Sequence, residues 1–207
     1  MSVLATDRRC RRDVLRLLGR TAVGLGVLAT VPAMAADDPG QLIQTVANEV
    51  IELVKTKTGA EREAGLQKVL EAYFDMPFMG RSALATHWEK TSPDERRRYL
   101  HAEINAEAHA YSDRFGQYGG QTLDVGKVIT RAGGVYVVQS RLNQKEGEPV
   151  KIDWEVRNTG EGLRITDVKI EGVSMVMTRR SDFNSYINEH GGQVEALIRE
   201  LESRSSR

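Results

Sequence analysis

The stretch "IEGVSMVMTRRSDF", residues 170–183, decides between two architectures. Gly172-Val173-Ser174 begins like the nucleophile elbow G-x-S-x-G, which would place a reactive serine on a strained turn above an α/β sheet. That elbow needs small residues on both sides of the serine, and Val176 stands where the second glycine belongs. Ser174 is therefore read as a hydroxyl that satisfies backbone groups where a strand ends. The stretch becomes a hinge between a sheet and a terminal helix. Val173, Met175 and Met177 are then expected to face an apolar cavity, with Arg179 and Arg180 at its rim or on a partner-facing surface.

Upstream of the hinge the sequence alternates with period two. Residues 123–131, 135–142, 150–157 and 163–170 read as four strands, separated by Ala132-Gly133-Gly134, by 143–149 and by 158–162. Connections this short permit only antiparallel neighbours, so the strands form a meander. Val150, Ile152, Trp154 and Val156 share one face of the third strand, and Lys151, Asp153, Glu155 and Arg157 share the other. Val135 and Val137 are assigned to the same apolar face as Ile152 and Trp154.

The first half of the chain has helical spacing. Leu42, Ile43, Val46, Val50, Leu53 and Val54 mark an amphipathic helix over 40–57, and Leu66, Val69, Leu70 and Tyr73 mark a second over 60–73. Pro77 breaks the pattern inside "FDMPFMG" (74–80), and a short helix is expected to follow through Leu84 to His87-Trp88. Ser92-Pro93-Asp94-Glu95 is a helix start, with Ser92 as N-cap and Glu95 three residues on. Leu100, Ile104, Ala108, Tyr111, Phe115 and Tyr118 then form one stripe that runs to Gly119-Gly120. A final helix is expected over 181–203, kinked or broken at Gly191-Gly192. Either it or the long helix is expected to cover the apolar sheet face.

The fold class is therefore α+β: N-terminal helices and one long helix packed on a curved four-stranded antiparallel sheet, closed by a C-terminal helix, with an apolar cavity between the layers.

Residues 1–35 differ from the rest. Arg8, Arg9, Arg11 and Arg12 precede an apolar run over 22–29 and then Val31-Pro32-Ala33-Met34-Ala35, which is an export signal with cleavage expected after Ala35. Arg11-Arg12-Asp13-Val14-Leu15-Arg16 also fits a twin-arginine signal. The expected product is one domain, residues 36–207, outside the cytoplasm. Of the 207 residues, 29 are basic and 29 acidic, and the leader carries six arginines against Asp7 and Asp13, so the remainder is formally −4. That balance argues against nucleic acid as a partner. Cys10, the only cysteine, leaves with the leader, so no disulfide, thiolate nucleophile or cysteine-ligated metal is expected.

Catalytic constellations are weak. His101 and His109 lie eight apart on the long helix with no acid at the turn between them, so neither they nor His87 and His190 make a metal motif, and no cofactor is expected. Asp75, Asp153, Glu155 and Asp167 could supply a general base to an isomerase-like or other small-molecule enzyme built in a curved-sheet cavity. Asp153 and Glu155, however, fall on the polar strand face. Apolar groups are more telling. Phe74, Met76, Phe78, Met79 and Leu84, the stripe Leu100, Ile104, Ala108, Tyr111 and Phe115, and the sheet residues Val135, Val137, Ile152 and Trp154 are expected to line a cavity with Val173, Met175 and Met177. Methionines there repack around ligands of varied shape. An acyl chain of roughly ten methylenes would gain about 8 kcal/mol from burial, before entropic costs.

Three runs carry a family resemblance: Trp154-Glu155-Val156, then 165–175 with D-V-K-I-E-G-V-S-M, then Arg180-Ser181-Asp182-Phe183. Together with Phe74-Asp75, Gly80, Trp88, Thr91, Arg96 and Tyr111, they resemble the MlaC or toluene-tolerance family over about residues 40–203. The resemblance implies a non-enzymatic, monomeric periplasmic protein. It implies acyl chains held in a deep cavity between sheet and helices, and phospholipid carried between an outer-membrane lipoprotein or porin complex and an inner-membrane ABC transporter. Arg179 replaces the tyrosine of many members, and the Arg180-Ser181-Asp182-Phe183 form is similar to the hopanoid-associated HpnM branch, which implies hopanoid as the second candidate cargo.

Overall fold

The computed structural model describes residues 38–116 and 118–205. The expected leader lies outside the described residues. Six α-helices and five strands follow in the order α1 (Pro39–Thr56), α2 (Gly59–Tyr73), α3 (Met76–Leu84), α4 (Pro93–Phe115), β1 (Thr122–Arg131), β2 (Val135–Asn143), β3 (Val150–Thr159), β4 (Gly162–Ile170), β5 (Val173–Ser174), α5 (Met175–Glu189) and α6 (Val194–Arg204), with a 3₁₀ turn over Ala85–Lys90. The architecture is the expected α+β class with one open antiparallel sheet, ordered β1-β2-β3-β4-β5.

Local chemistry sets the boundaries. Ser92 and Glu95 form a reciprocal capping box at the start of α4. That helix stops at Phe115, short of the expected Gly119-Gly120, because the Gly116 N–H turns back to Ser112 and Asp113 and Tyr118 folds against Gln121. Pro77 sits in the first turn of α3, where its missing N–H costs nothing, so it opens a helix where the sequence suggested a break. Gly191 and Gly192, at φ +70° and +77°, end α5 and separate it from α6.

The sheet register identifies the inner face. Val138 is opposite Trp154, Ser140 opposite Ile152 and Tyr136 opposite Val156. Directly opposed residues point the same way. Ile152 and Trp154 thus face inward, where Ser140 accepts the indole N–H at 2.9 Å. Val135 and Val137 are opposite Arg157 and Glu155 and face outward, a correction to the expected cavity lining. In Val135-Tyr136-Val137-Val138 both parities are apolar, so alternation alone cannot choose a face. In β4 one extra residue, Thr166, intervenes between the pairs Val156–Ile165 and Glu155–Asp167. This bulge lets Ile165 and Val168 both point inward and turns Asp167 outward.

The inner face is covered by α1. Leu42, Ile43 and Val46 pack with Val69, Val138, Val156, Leu163 and Ile165. The expected cover was the long helix or the last one. Instead α4 is the centre of the helical layer, with Tyr99, Ala102 and Ala106 packed on α5 and α6 and Ala108 packed toward α2. A helix engaged on both flanks has no apolar face left for the sheet.

The opening stretch is a sheet-to-helix junction. Glu171 (φ +49°) and Gly172 (φ +81°) make the turn into the short β5. The Ser174 hydroxyl accepts the Met177 N–H at 3.1 Å, and the buried Asp167 carboxylate accepts the Val176 N–H at 3.2 Å. Two N-terminal donors of α5 are therefore satisfied by side chains, nine and three residues earlier in the chain. The helix begins at Met175, before the expected Ser181. Replacing Ser174 with Ala is expected to lower stability by about 1 kcal/mol, the usual cost of losing an N-cap, measured by urea unfolding. A loss near zero would remove the capping role.

Candidate functional site

Three apolar clusters fill the interior. One lies between α1 and the sheet, one among α3, α4, α5 and α6, and one among α2, α3 and α4. The third has four buried members, Leu66, Leu70, Met76 and Ala108, ringed by half-buried Val50, Leu53, Phe74, Met79, Ile104, Tyr111 and Phe115. Val50, Leu53 and Phe74 pack against both this cluster and the sheet cluster, so one apolar seam runs from the inner face of the sheet to α4. Tyr111 and Phe115 stack at 5.8 Å between ring centroids along it.

The structure gathers some expected lining residues on this seam and scatters others. Phe74, Met76, Met79, Ile104, Ala108, Tyr111 and Phe115 lie together in the α2-α3-α4 cluster, and Trp154 packs on the sheet side with buried Ile152 nearby in β3. Leu84 and Leu100 belong to the α3-α4-α5-α6 cluster. Phe78, Val173 and Met177 are exposed, at 37%, 56% and 56%, and Met175 is half-buried. The alternation 173, 175, 177 is a strand pattern laid over the first turn of a helix, where successive alternate residues point about 200° apart. Arg180 is exposed, whereas Arg179 reaches inward and forms an ion pair with Glu107 of α4.

The expected acids are engaged elsewhere, although Asp153 keeps one buried oxygen, Oδ1, without a hydrogen-bond partner among the described residues. Asp75 caps α3 by accepting the Phe78 N–H at 3.0 Å, Asp153 pairs with Lys151 at 3.1 Å, Glu155 pairs with Arg157 at 2.8 Å, and Asp167 caps α5. His101 bonds Asn105 at the surface, while His109 turns toward α2 and meets Glu63 at 3.0 Å.

Sequence reasoning missed the polar centre of the helical layer. Tyr99, Glu103 and Glu107 recur every four residues on α4 and form a line between its two apolar flanks. Glu103 is buried, with Oε2 lacking a hydrogen-bond partner among the described residues. A Cβ on Gly80 would lie 2.7 Å from that oxygen and 2.5 Å from Leu100 Cδ2, so only glycine permits this approach of α3 to α4. Burial pushes the Glu103 carboxyl up to about 8; Tyr99 and Arg179 oppose the rise and Glu107 adds to it. Burial works against the charge of Arg179, but the hydrogen bond and charge of Glu107, with Tyr111 and Asp182 adding to them, hold the guanidinium above its ordinary value. On the far flank of this line, a cleft of about 340 Å³ opens between α4, α5 and α6, lined by Ala106, Glu107, His109, Ala110, Asp113, Arg179, Phe183, Leu201 and Arg204. The visible signal for this centre was the i, i+4 acids inside an otherwise apolar stripe.

The sequence matches the family model of the MlaC protein over residues 44–203. The chain belongs to the MlaC family. No curated protein sequence matches it. Among solved structures, the phospholipid-binding protein from Ralstonia solanacearum, determined in complex with a phospholipid, is similar with a TM-score of 0.68 at 19% identity, covering 82% of this chain and 97% of that one. At that identity the likeness establishes a shared fold. Among the described residues no helix is long and apolar enough to cross a membrane. The D-V-K-I-E-G-V-S-M run that resembles the MlaC family is, in this structure, the end of β4 after its bulge, the turn and the two caps that join β4 to α5.

Glu103 makes the stability of this MlaC-family chain depend on pH. Its carboxyl titrates near 4.5 when solvated and near 8 when buried. The folded state thus keeps a proton that the unfolded chain releases. The stabilising contribution is complete below about pH 4.5 and is lost as pH rises through about 8, at up to about 1.4 kcal/mol per unit. Glu103→Gln is expected to flatten this slope, so that its advantage over the parent in urea unfolding grows from pH 5 to pH 8. An advantage that stays constant with pH would refute the assignment.

Proposed function

We propose that this chain is a carrier that holds a membrane lipid in the seam between the inner face of the sheet and helices α1, α2 and α4. The observation that carries the reading is the continuity of the seam. Val50, Leu53 and Phe74 pack against two clusters at once, so a guest that displaces them meets the apolar side chains of both. Half-buried Met79, Ile104, Tyr111 and Phe115 supply adaptable contacts. Each methylene taken from water contributes about 0.8 kcal/mol, which makes acyl chains the natural guest.

Membership of the MlaC family and the fold shared with a phospholipid-binding protein support phospholipid as cargo. The Arg180-Ser181-Asp182-Phe183 form keeps hopanoid as the alternative apolar guest. The leader over residues 1–35 supports export to the periplasm and a single functional domain over 36–207. There the protein would act as a monomeric shuttle between outer-membrane and inner-membrane transport complexes, with exposed Phe78, Val173 and Met177 available to touch them. The structural engagement of Asp75, Asp153, Glu155 and Asp167 favours binding over an isomerase-like activity.

Mass spectrometry of lipid extracted from the purified protein is expected to find about one phospholipid or hopanoid per chain, and the species found identifies the cargo. Ala108→Trp fills the seam and is expected to lower lipid affinity at least about tenfold, the equivalent of 1.4 kcal/mol. Val137→Trp, on the outer face, should leave affinity unchanged. An empty extract, or equal effects of the two substitutions in proteins with unaltered circular dichroism, would refute the reading.

A further inference from the structure

The cleft between α4, α5 and α6 lies apart from the seam. At about 100° per residue, Ala106 and Ala110 on its wall each point about 200° away from Ala108, which faces the seam. A ligand in the seam cannot reach it without passing through α4.

Its chemistry is amphipathic. Ala106 and Ala110 form its apolar wall above the buried Phe183 and Leu201, and the more exposed Arg179 and Arg204 belong to the same lining. Arg179 uses Nε toward Glu107, and Arg204 uses Nε toward Glu200 at 3.0 Å. Neither guanidinium makes a hydrogen bond through its Nη groups to any described residue. An arginine anchored at Nε with its outer nitrogens open presents a planar fork of donors, the arrangement that matches phosphate oxygens. Asp113, the other acid of the lining, is 76% exposed and faces His109 at 3.7 Å, so solvent screens its repulsion of an anion.

We infer that this cleft is a second ligand site, which takes a single-chain amphiphile with a phosphate head. The phosphate sits on the Nη groups of Arg179 and Arg204, and the chain lies along Ala106 and Ala110, above the buried Phe183 and Leu201. A volume of about 340 Å³ is at the small end of ligand pockets and suits one chain. Glu107 competes with the phosphate for Arg179, so it weakens binding while holding the guanidinium in place.

The probes are decyl phosphate, decanol and inorganic phosphate, followed by calorimetry and by amide chemical shifts of the purified protein. Decyl phosphate is expected to bind one to one and to shift Ala106, Ala110 and Leu201, with decanol and inorganic phosphate each at least about tenfold weaker. Arg204→Gln, on a half-exposed side chain that does not threaten folding, should weaken binding about tenfold. Glu107→Gln should strengthen it severalfold, and Arg179→Gln should weaken it. A purely structural pair predicts the same sign for both.

Equal binding of inorganic phosphate would assign the site to free phosphate and overturn the amphiphile. Equal binding of decanol would remove the role of the arginines, and shifts confined to Ile104 and Phe115 would place the probe in the seam. The site does not rest on the carrier reading. Ala108→Trp should leave decyl phosphate binding intact, and an empty lipid extract beside normal decyl phosphate binding would sink the carrier alone.

Discussion

The Asp75 N–H donates to the Ile165 carbonyl at 2.9 Å, and much of the molecule depends on that contact. Phe74 ends α2 by donating to Leu70, pairs with Ile165 as an isolated parallel bridge on the free edge of β4, and is followed at once by the residue that caps α3. Two residues thus close one helix, fasten the helical layer to the sheet and open the next helix. Without the bridge, β4 would expose unpaired backbone groups beyond the reach of the two-residue β5. The Phe74 side chain also stands where the sheet cluster meets the α2-α3-α4 cluster, so the same junction fixes the width of the seam.

The second fastening is the run from Asp167 to Ser174. The bulge at Thr166 turns Asp167 from the inner to the outer face, where its carboxylate meets the first turn of α5. Glu171 adds a link to β3, accepting the Lys151 N–H and donating its own N–H to the Lys151 carbonyl. The serine that suggests a nucleophile is a cap, and the acid that suggests a base is its neighbour in the same task. Their chemical suitability for helix capping and for catalysis is the same property, a hydrogen-bond acceptor held in fixed geometry.

Class, strand order and the start of α4 were legible in the sequence because they rest on local rules, whereas the starts of α3 and α5 were not. Ser92 to Glu95 spell out a capping box, Gly and Asn punctuate the hairpins, and Val150 to Arg157 alternate cleanly. Facing was not legible where both parities are apolar, as at Val135 to Val138, nor where a bulge shifts the count, as at Thr166. Which helix covers the sheet was hidden too, since α1 and α4 both carry apolar stripes and partner choice is a property of the assembled layers. For the site, the lining drawn from residues 74–79 and 104–115 falls largely in one cluster, while the residues after 172 do not join it. The Glu103, Glu107 and Arg179 centre needs contacts between residues more than seventy positions apart, which spacing cannot supply.

One edge of the sheet has no strand beside it among the described residues. β1 presents the outer backbone groups of Thr122–Arg131, with Val128 and Ile129 exposed at 42% and 38%, a combination that invites pairing with a second chain. The register slip between Val125 and Val128 interrupts the ladder there and places Lys127 in the irregularity. A broken, charged edge is a poor template for another strand. The kink in β1 therefore keeps the exposed Val128 and Ile129 from forming a flat edge on which a second copy of the chain could add a strand.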